Sequence, residues 1–230
     1  ASMAGMATYM GTVGLSARSY RNIIGANDRV NVGVIGFSDR FRSSLLPSFV
    51  NLHKELNFDM VAVSDIWKKR REDGQAYLKK QLGHDITACV NNEALYDLKN
   101  IDAVIISTAD FQHALHTVEA VKAGKDTYTE KPLAETMEDA RAVLKAVKDS
   151  GKIVQIGSQR RSGATYKAAY DFIQEGKFGP IVMVELIWNV NQPGRWRRPS
   201  LVPQLREEDT DWKRFLLNRP FEKFDPRKYL

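Results

Sequence analysis

One lysine stands where proton chemistry at a ligand crevice would need it. Lys131 lies in the stretch from Asp126 to Thr136, as Glu130-Lys131-Pro132. An apolar run from Ile101 to Thr108 precedes it and predicts a buried strand. A helical pattern from Asp110 follows and stops at Gly124. The chain then extends through Thr127-Tyr128-Thr129. Pro132 bars helix and biases Lys131 towards an extended backbone. A new helix starts after Thr136, a good cap, with Glu138 and Asp139 in its first turn. The amine is thereby held at the carboxyl end of a predicted strand, the edge where open α/β sheets bind ligands.

Three further groups point to the same edge. Gly36-Phe37-Ser38-Asp39-Arg40-Phe41 follows the first β-rich run. A dinucleotide turn wants glycine at the first, third and sixth of these places, for the tight turn, the close approach of pyrophosphate and helix packing. Only Gly36 is kept. Ser38 is small and offers a hydroxyl to a phosphate; Phe41 must push the helix away or point outward. Asp65 ends the second strand, where an acid grips the ribose hydroxyls of NAD and repels the extra phosphate of NADP. Lys68-Lys69-Arg70-Arg71 follow it, either countering that repulsion or, as favoured here, forming a solvated helix face. Ser107-Thr108-Ala109-Asp110-Phe111-Gln112-His113-Ala114 turns out of the apolar strand, so its backbone faces the same crevice. His113 and His116 are three apart, but no complete ligand set accompanies them and no metal site is assigned.

The elements that position these groups alternate. Strands are predicted at 30–36, 58–65, 88–90, 102–108, 127–129 and 153–157, with helices at 42–56, 67–82, 92–98, 110–124 and 137–149 between them. Pro47 marks the true first turn of the 42–56 helix. Such alternation argues for a parallel sheet covered on both faces, a Rossmann domain over 27–160. Past Ser158 the character changes. A helix is predicted at 164–175, then a long β-rich run from Ile181 to Trp188, then a basic, aromatic segment through Pro203. One strand cannot make a stable second domain, so 161–230 reads as the incomplete start of one.

Composition narrows the class. The chain has 230 residues, 43% apolar and 27% charged, as in ordinary globular proteins. Its single cysteine, Cys89, excludes an internal disulfide. A net charge of +6 is modest and does not indicate nucleic acid. No apolar run is long enough to span a bilayer. Residues 1–26 read as a leader; uncharged up to Ala17, with a small-residue cleavage pattern at Leu15-Ser16-Ala17, it suggests an export signal, a cytoplasmic location being the alternative.

The order of the Gly36 turn, Asp65, the 107–114 stretch, Ala123-Gly124-Lys125-Asp126 and Glu130-Lys131-Pro132-Leu133-Ala134 resembles the Gfo/Idh/MocA family of glucose–fructose oxidoreductases and inositol dehydrogenases. Gly157-Ser158-Gln159-Arg160-Arg161-Ser162 resembles the segment that follows in exported bacterial members. The resemblance implies a second α/β domain with an open, mainly antiparallel sheet, a homo-oligomer, and NAD, or else NADP, as cofactor. It implies cofactor contacts from Gly36, Phe37, Ser38, Arg40, Asp65, Ser107, Thr108, His113, Glu130, Lys131 and Gln159. Lys131 would sit between nicotinamide and the reacting hydroxyl, desolvated beside a cationic ring that lowers its pKa, so that it takes a proton as hydride leaves carbon. Glu130 would face the cofactor or orient Lys131, across a cis Lys131–Pro132 bond. His113 is either a crevice residue or a packed helix residue. Arg160 either reaches the substrate or forms an interface ion pair. Trp188 and Trp196, with Arg195, Arg197 and Arg198, either stack on and grip a sugar or form an interface or a loop packed over the Rossmann domain. The family's Asp and His acid/base pair is expected beyond Leu230.

The implied function is hydride transfer to or from a sugar, cyclitol or related polyol. Two alternatives remain: an exported NAD-dependent glycosidase with a closed redox cycle, and a non-catalytic nucleotide- or sugar-binding module.

Overall fold

A computed structural model describes residues 29–187, 189, 191, 193–194 and 197–230. The leader, Trp188 and Trp196 lie outside the described residues. Six strands form one parallel sheet: β1 (Val30–Ile35), β2 (Phe58–Ser64), β3 (Thr87–Cys89), β4 (Ala103–Ile106), β5 (Asp126–Thr129) and β6 (Val154–Ile156). Their order is β3-β2-β1-β4-β5-β6, so the direction of winding reverses between β1 and β4. Ligands bind at such a switch point, outside the carboxyl ends of the strands.

The strands form because their apolar residues are needed on both faces. Val34 and Ile105 pack with Met60, Phe37, Phe41 and Leu78 on one side. Ile35, Val104 and Ile106 pack with Leu95 and Ala120 on the other. The covering helices are α1 (Leu46–Leu52), α2 (Lys68–Leu82), α3 (Asn92–Tyr96), α4 (His113–Lys122) and α5 (Met137–Ser150). Their ends follow the predicted signals. Pro47 sits in the first turn of α1, Thr136 accepts from the Asp139 amide to cap α5, and Gly83 and Gly151 close α2 and α5.

The described helices include none long and apolar enough to cross a membrane. Helix α6 (Ala164–Gln174) buries no residue.

One expectation past Ser158 is corrected. Residues 181–187 form no strand, and Val182 and Leu186 are 93% and 91% exposed. A β-rich sequence supplies side chains for a strand but not the neighbour that satisfies its backbone. Residues 198–230 lie on the Rossmann unit as a strap. Its helices are α7 (Trp212–Leu216) and α8 (Pro226–Tyr229). Leu205 and Leu230 pack on Trp67. Trp212, Phe215 and Leu216 pack on Ile66, Ala109 and Phe111. Phe215 stands 5.5 Å from Phe111 and 5.4 Å from Tyr229, ring centre to ring centre.

Candidate active site at the carboxyl edge of the sheet

Gly36 ends β1 with φ of +84°. A Cβ there would fall 2.8 Å from both the Ser107 carbonyl oxygen and Thr108 Cγ2. The turns after β1 and β4 therefore touch through bare backbone, which only glycine allows. Ser38 and Ser107 share a hydrogen bond of 2.8 Å between their hydroxyls. The Ser38 hydroxyl also accepts the Phe41 amide. Thr108 Oγ1 is buried with no partner among the described residues.

Phe37 contributes only its backbone to this edge. Its ring is buried, 5.8 Å from Phe41 and 6.0 Å from Tyr77. Phe41 was expected to push the helix away or turn outward. It does neither: it is fully buried in the core, and the helix opens with a π turn over Phe41–Leu45 before α1. The wider turn takes in the extra bulk without displacing α1 from the sheet.

Arg40 joins three loops. Its Nε donates to Glu130 Oε1 at 3.1 Å and its Nη2 to Gln159 Oε1 at 2.6 Å. Glu130 is 2% exposed, and its other oxygen accepts the Lys131 amide. A buried carboxylate needs such a partner to stay charged. Lys131 itself is exposed and makes no side-chain hydrogen bond or ion pair to the described residues. The Lys131–Pro132 bond is cis. His113 is buried, with Nδ1 2.7 Å from the Pro132 carbonyl and Nε2 without a partner among the described residues. It is a packed residue that holds the lysine turn from beneath. Arg160 is exposed. His116 bonds Asn92 and Glu119, and the described residues hold no group of three or more metal-ligating side chains.

Asp65 departs most from expectation. Instead of facing an open groove it is 6% exposed. Its Oδ2 accepts the Phe37 amide at 2.9 Å. Its Oδ1 accepts the Trp67 amide at 2.9 Å and the Tyr229 hydroxyl at 3.2 Å. Burial pushes its pKa up, against the opposing pull of these donors and of Arg70. The basic run behind it divides in two. Lys68 and Lys69 pair with Glu72 and Asp73 along an exposed face. Arg70 and Arg71 instead donate to the carbonyls of Phe37 and Asp65, bracing the turn. This corrects the reading of all four as a solvated face.

Sequence reasoning missed the strap's share in the site. Arg198 Nε donates to Asp39 Oδ2 at 2.7 Å, inside the glycine turn. Gln112 donates to the Phe215 carbonyl. Arg219 pairs with Glu135 at 2.6 Å and lies 3.8 Å over the Phe111 ring. Arg198 was weighed as part of a loop packed over the first domain; Tyr229 carried no signal.

The hydroxyls of Ser38 and Ser107 and the Arg40 guanidinium, shared with Glu130 and Gln159, are the polar groups this edge offers a dinucleotide's phosphates. At the adenosine end, the expected ribose acid is already engaged by the chain itself.

An order 3-2-1-4-5-6 with a glycine turn at its switch point defines a Rossmann dinucleotide-binding protein. The family model of Gfo/Idh/MocA, an oxidoreductase family with an NAD-binding Rossmann fold, matches residues 30–158. The chain belongs to that family. It is 32% identical over 157 residues to a 1,5-anhydro-D-fructose reductase of Ensifer adhaerens, covering 64% of this chain and 46% of that protein. It is 32% identical over 198 residues to an inositol 2-dehydrogenase of Salmonella typhimurium, covering 84% and 54%. The solved myo-inositol 2-dehydrogenase of Lactobacillus plantarum is similar with a TM-score of 0.55 and 25% identity, over 67% of this chain and 43% of that one. The WlbA dehydrogenase of Bordetella pertussis, solved with NADH and UDP-GlcNAcA, shares the fold at 21% identity and a TM-score of 0.57, over 66% and 41%. The chain spans about half the length of the curated relatives it matches.

Proposed function

We propose that this chain carries the cofactor half of an oxidoreductase that moves hydride between NAD and a carbinol of a cyclitol, sugar or related polyol. The observation that carries the reading is the convergence, at one sheet edge, of the Gly36 floor, the Ser38–Ser107 hydroxyl pair and the Lys131 turn braced by Glu130, Arg40 and Gln159. Bound nicotinamide dinucleotide supplies the hydride acceptor or donor. Lys131 Nζ takes the carbinol proton as hydride leaves the carbon, and returns it in the reverse direction. Glu130 fixes the Lys131 backbone, and Arg40 neutralises Glu130.

The substrate-facing half is assigned to a second domain beginning near residue 161. The exposed apolar side chains of 181–187 support its packing against further structure, within a subunit or in a homo-oligomer. Export is supported by the character of residues 1–17 alone. The second reading, a binding module without redox work, is favoured by one observation, the covered Asp65. NADH fluorescence titration tests the first reading: saturable binding is expected, and a flat titration overturns it. NADH formation from a cyclitol or sugar, which a binding module would not give, separates the two.

A further inference from the structure

A carboxylate offers about four lone-pair positions. Asp65 has filled three with donors of the chain itself: the amides of Phe37 and Trp67 and the hydroxyl of Tyr229. The two amides belong to the Rossmann unit and keep their places whatever binds. Tyr229 belongs to the strap, 164 residues further along the chain. The fourth position is out of reach of solvent, because Asp65 is itself only 6% exposed. The Tyr229 ring meets Trp67 edge-on at 6.0 Å. The strap end is fastened a second time, since Arg198 donates its amide to the Leu230 carbonyl and its guanidinium to Asp39 of the glycine turn.

We propose that the end of the strap is an intramolecular latch: the Tyr229 hydroxyl occupies on Asp65 the place of a ribose hydroxyl, so the adenosine half of a dinucleotide binds only when α8 lifts away. This inference rests on the nicotinamide reading above. It makes strap position and dinucleotide affinity reciprocal, as two binders of one group must be.

The test is NADH titration of the wild-type chain and of Tyr229→Phe, with hydrogen exchange at the Arg198 and Leu230 amides, which bond to the Leu230 and Pro226 carbonyls in the latched state. Removing one hydrogen bond to a charged group from the latched state should tighten NADH binding about tenfold. NADH should also speed exchange at both amides in the wild-type protein. Equal affinities for the two proteins, or slower exchange on adding NADH, would overturn the latch and leave the cofactor reading standing. Absence of NADH binding in both proteins would overturn the two together. Should Tyr229→Phe not fold, the direction of the exchange change in the wild-type protein alone decides.

Discussion

Gly36→Ala probes whether the turns after β1 and β4 must meet through backbone. The new Cβ would lie 2.8 Å from the Ser107 carbonyl oxygen and 3.1 Å from its carbon, closer than a methyl group tolerates. The φ of +84° adds about 1–2 kcal/mol for a residue with a side chain. Forcing the β4 turn away costs about a further 1–3 kcal/mol, as overpacking does. The sum, about 2–5 kcal/mol, converts at about 2–4 °C per kcal/mol to a fall in Tm of about 4–20 °C for a protein of this size. Gly83→Ala separates the two contributions. Its φ is +80°, but a Cβ there would meet nothing within 4 Å. It should therefore lose only the backbone share, about 1–2 kcal/mol. Calorimetry of both variants and the wild type makes the comparison. If Gly36→Ala melts no lower than Gly83→Ala, the close approach of the two turns is not a constraint.

The strap should come off in acid. Burial raises the pKa of Asp39 and of Glu119. For Asp39 this is outweighed by the hydrogen bond from Arg198 and the charges of Arg70, Arg198 and Arg42; for Glu119, by the hydrogen bond and charge of His116, with Arg214 and Asn92 adding to them. Both therefore lie below their ordinary values of 3.8 and 4.5. A lowered carboxyl pKa stabilises the folded arrangement above the unfolded value, and that contribution is lost as pH falls through the folded one. Arg198 and Arg214 are strap residues, so Trp212 fluorescence should report strap release below about pH 4.5, before the sheet melts by circular dichroism; coincident transitions would count against it. Phe215→Ala should remove about 3–5 kcal/mol of packing from the strap, seen as faster hydrogen exchange over 198–230 with the β1 and β4 amides still protected. Exchange unchanged over the strap would refute its docking through Phe111, Trp212 and Tyr229.

The sheet was legible because its signals are local. Runs such as Val30 to Ile35 and Ile101 to Thr108, with stops at Gly83, Gly124 and Gly151 and a cap at Thr136, each act within a few residues. The crevice was legible for the same reason: a glycine after the first strand and a proline after a lysine are local instructions. The strap was not, because its contacts join residues 159 and 164 apart, Arg198 to Asp39 and Tyr229 to Asp65. Periodicity carries no information on such pairs. Asp65 was read from its place at the end of β2, which is right, but its accessibility is set by Tyr229 and Trp67. Residues 181–187 show the converse failure, since side-chain preference marks strand-forming tendency and not the presence of a partner. Phe41 was misjudged because its cost was reckoned on a regular helix, whereas a π turn opens the chain at that point.

Lys131 is proposed to move the substrate proton. Hydride transfer from a panel of cyclitols and pyranose sugars to NAD is followed as NADH formation in the full-length wild-type protein and its Lys131→Ala variant, with NADH affinity measured alongside. In Lys131→Ala, kcat should fall about 10²- to 10⁴-fold with NADH affinity unchanged. Equal turnover in the two proteins, at equal NADH affinity, would contradict it.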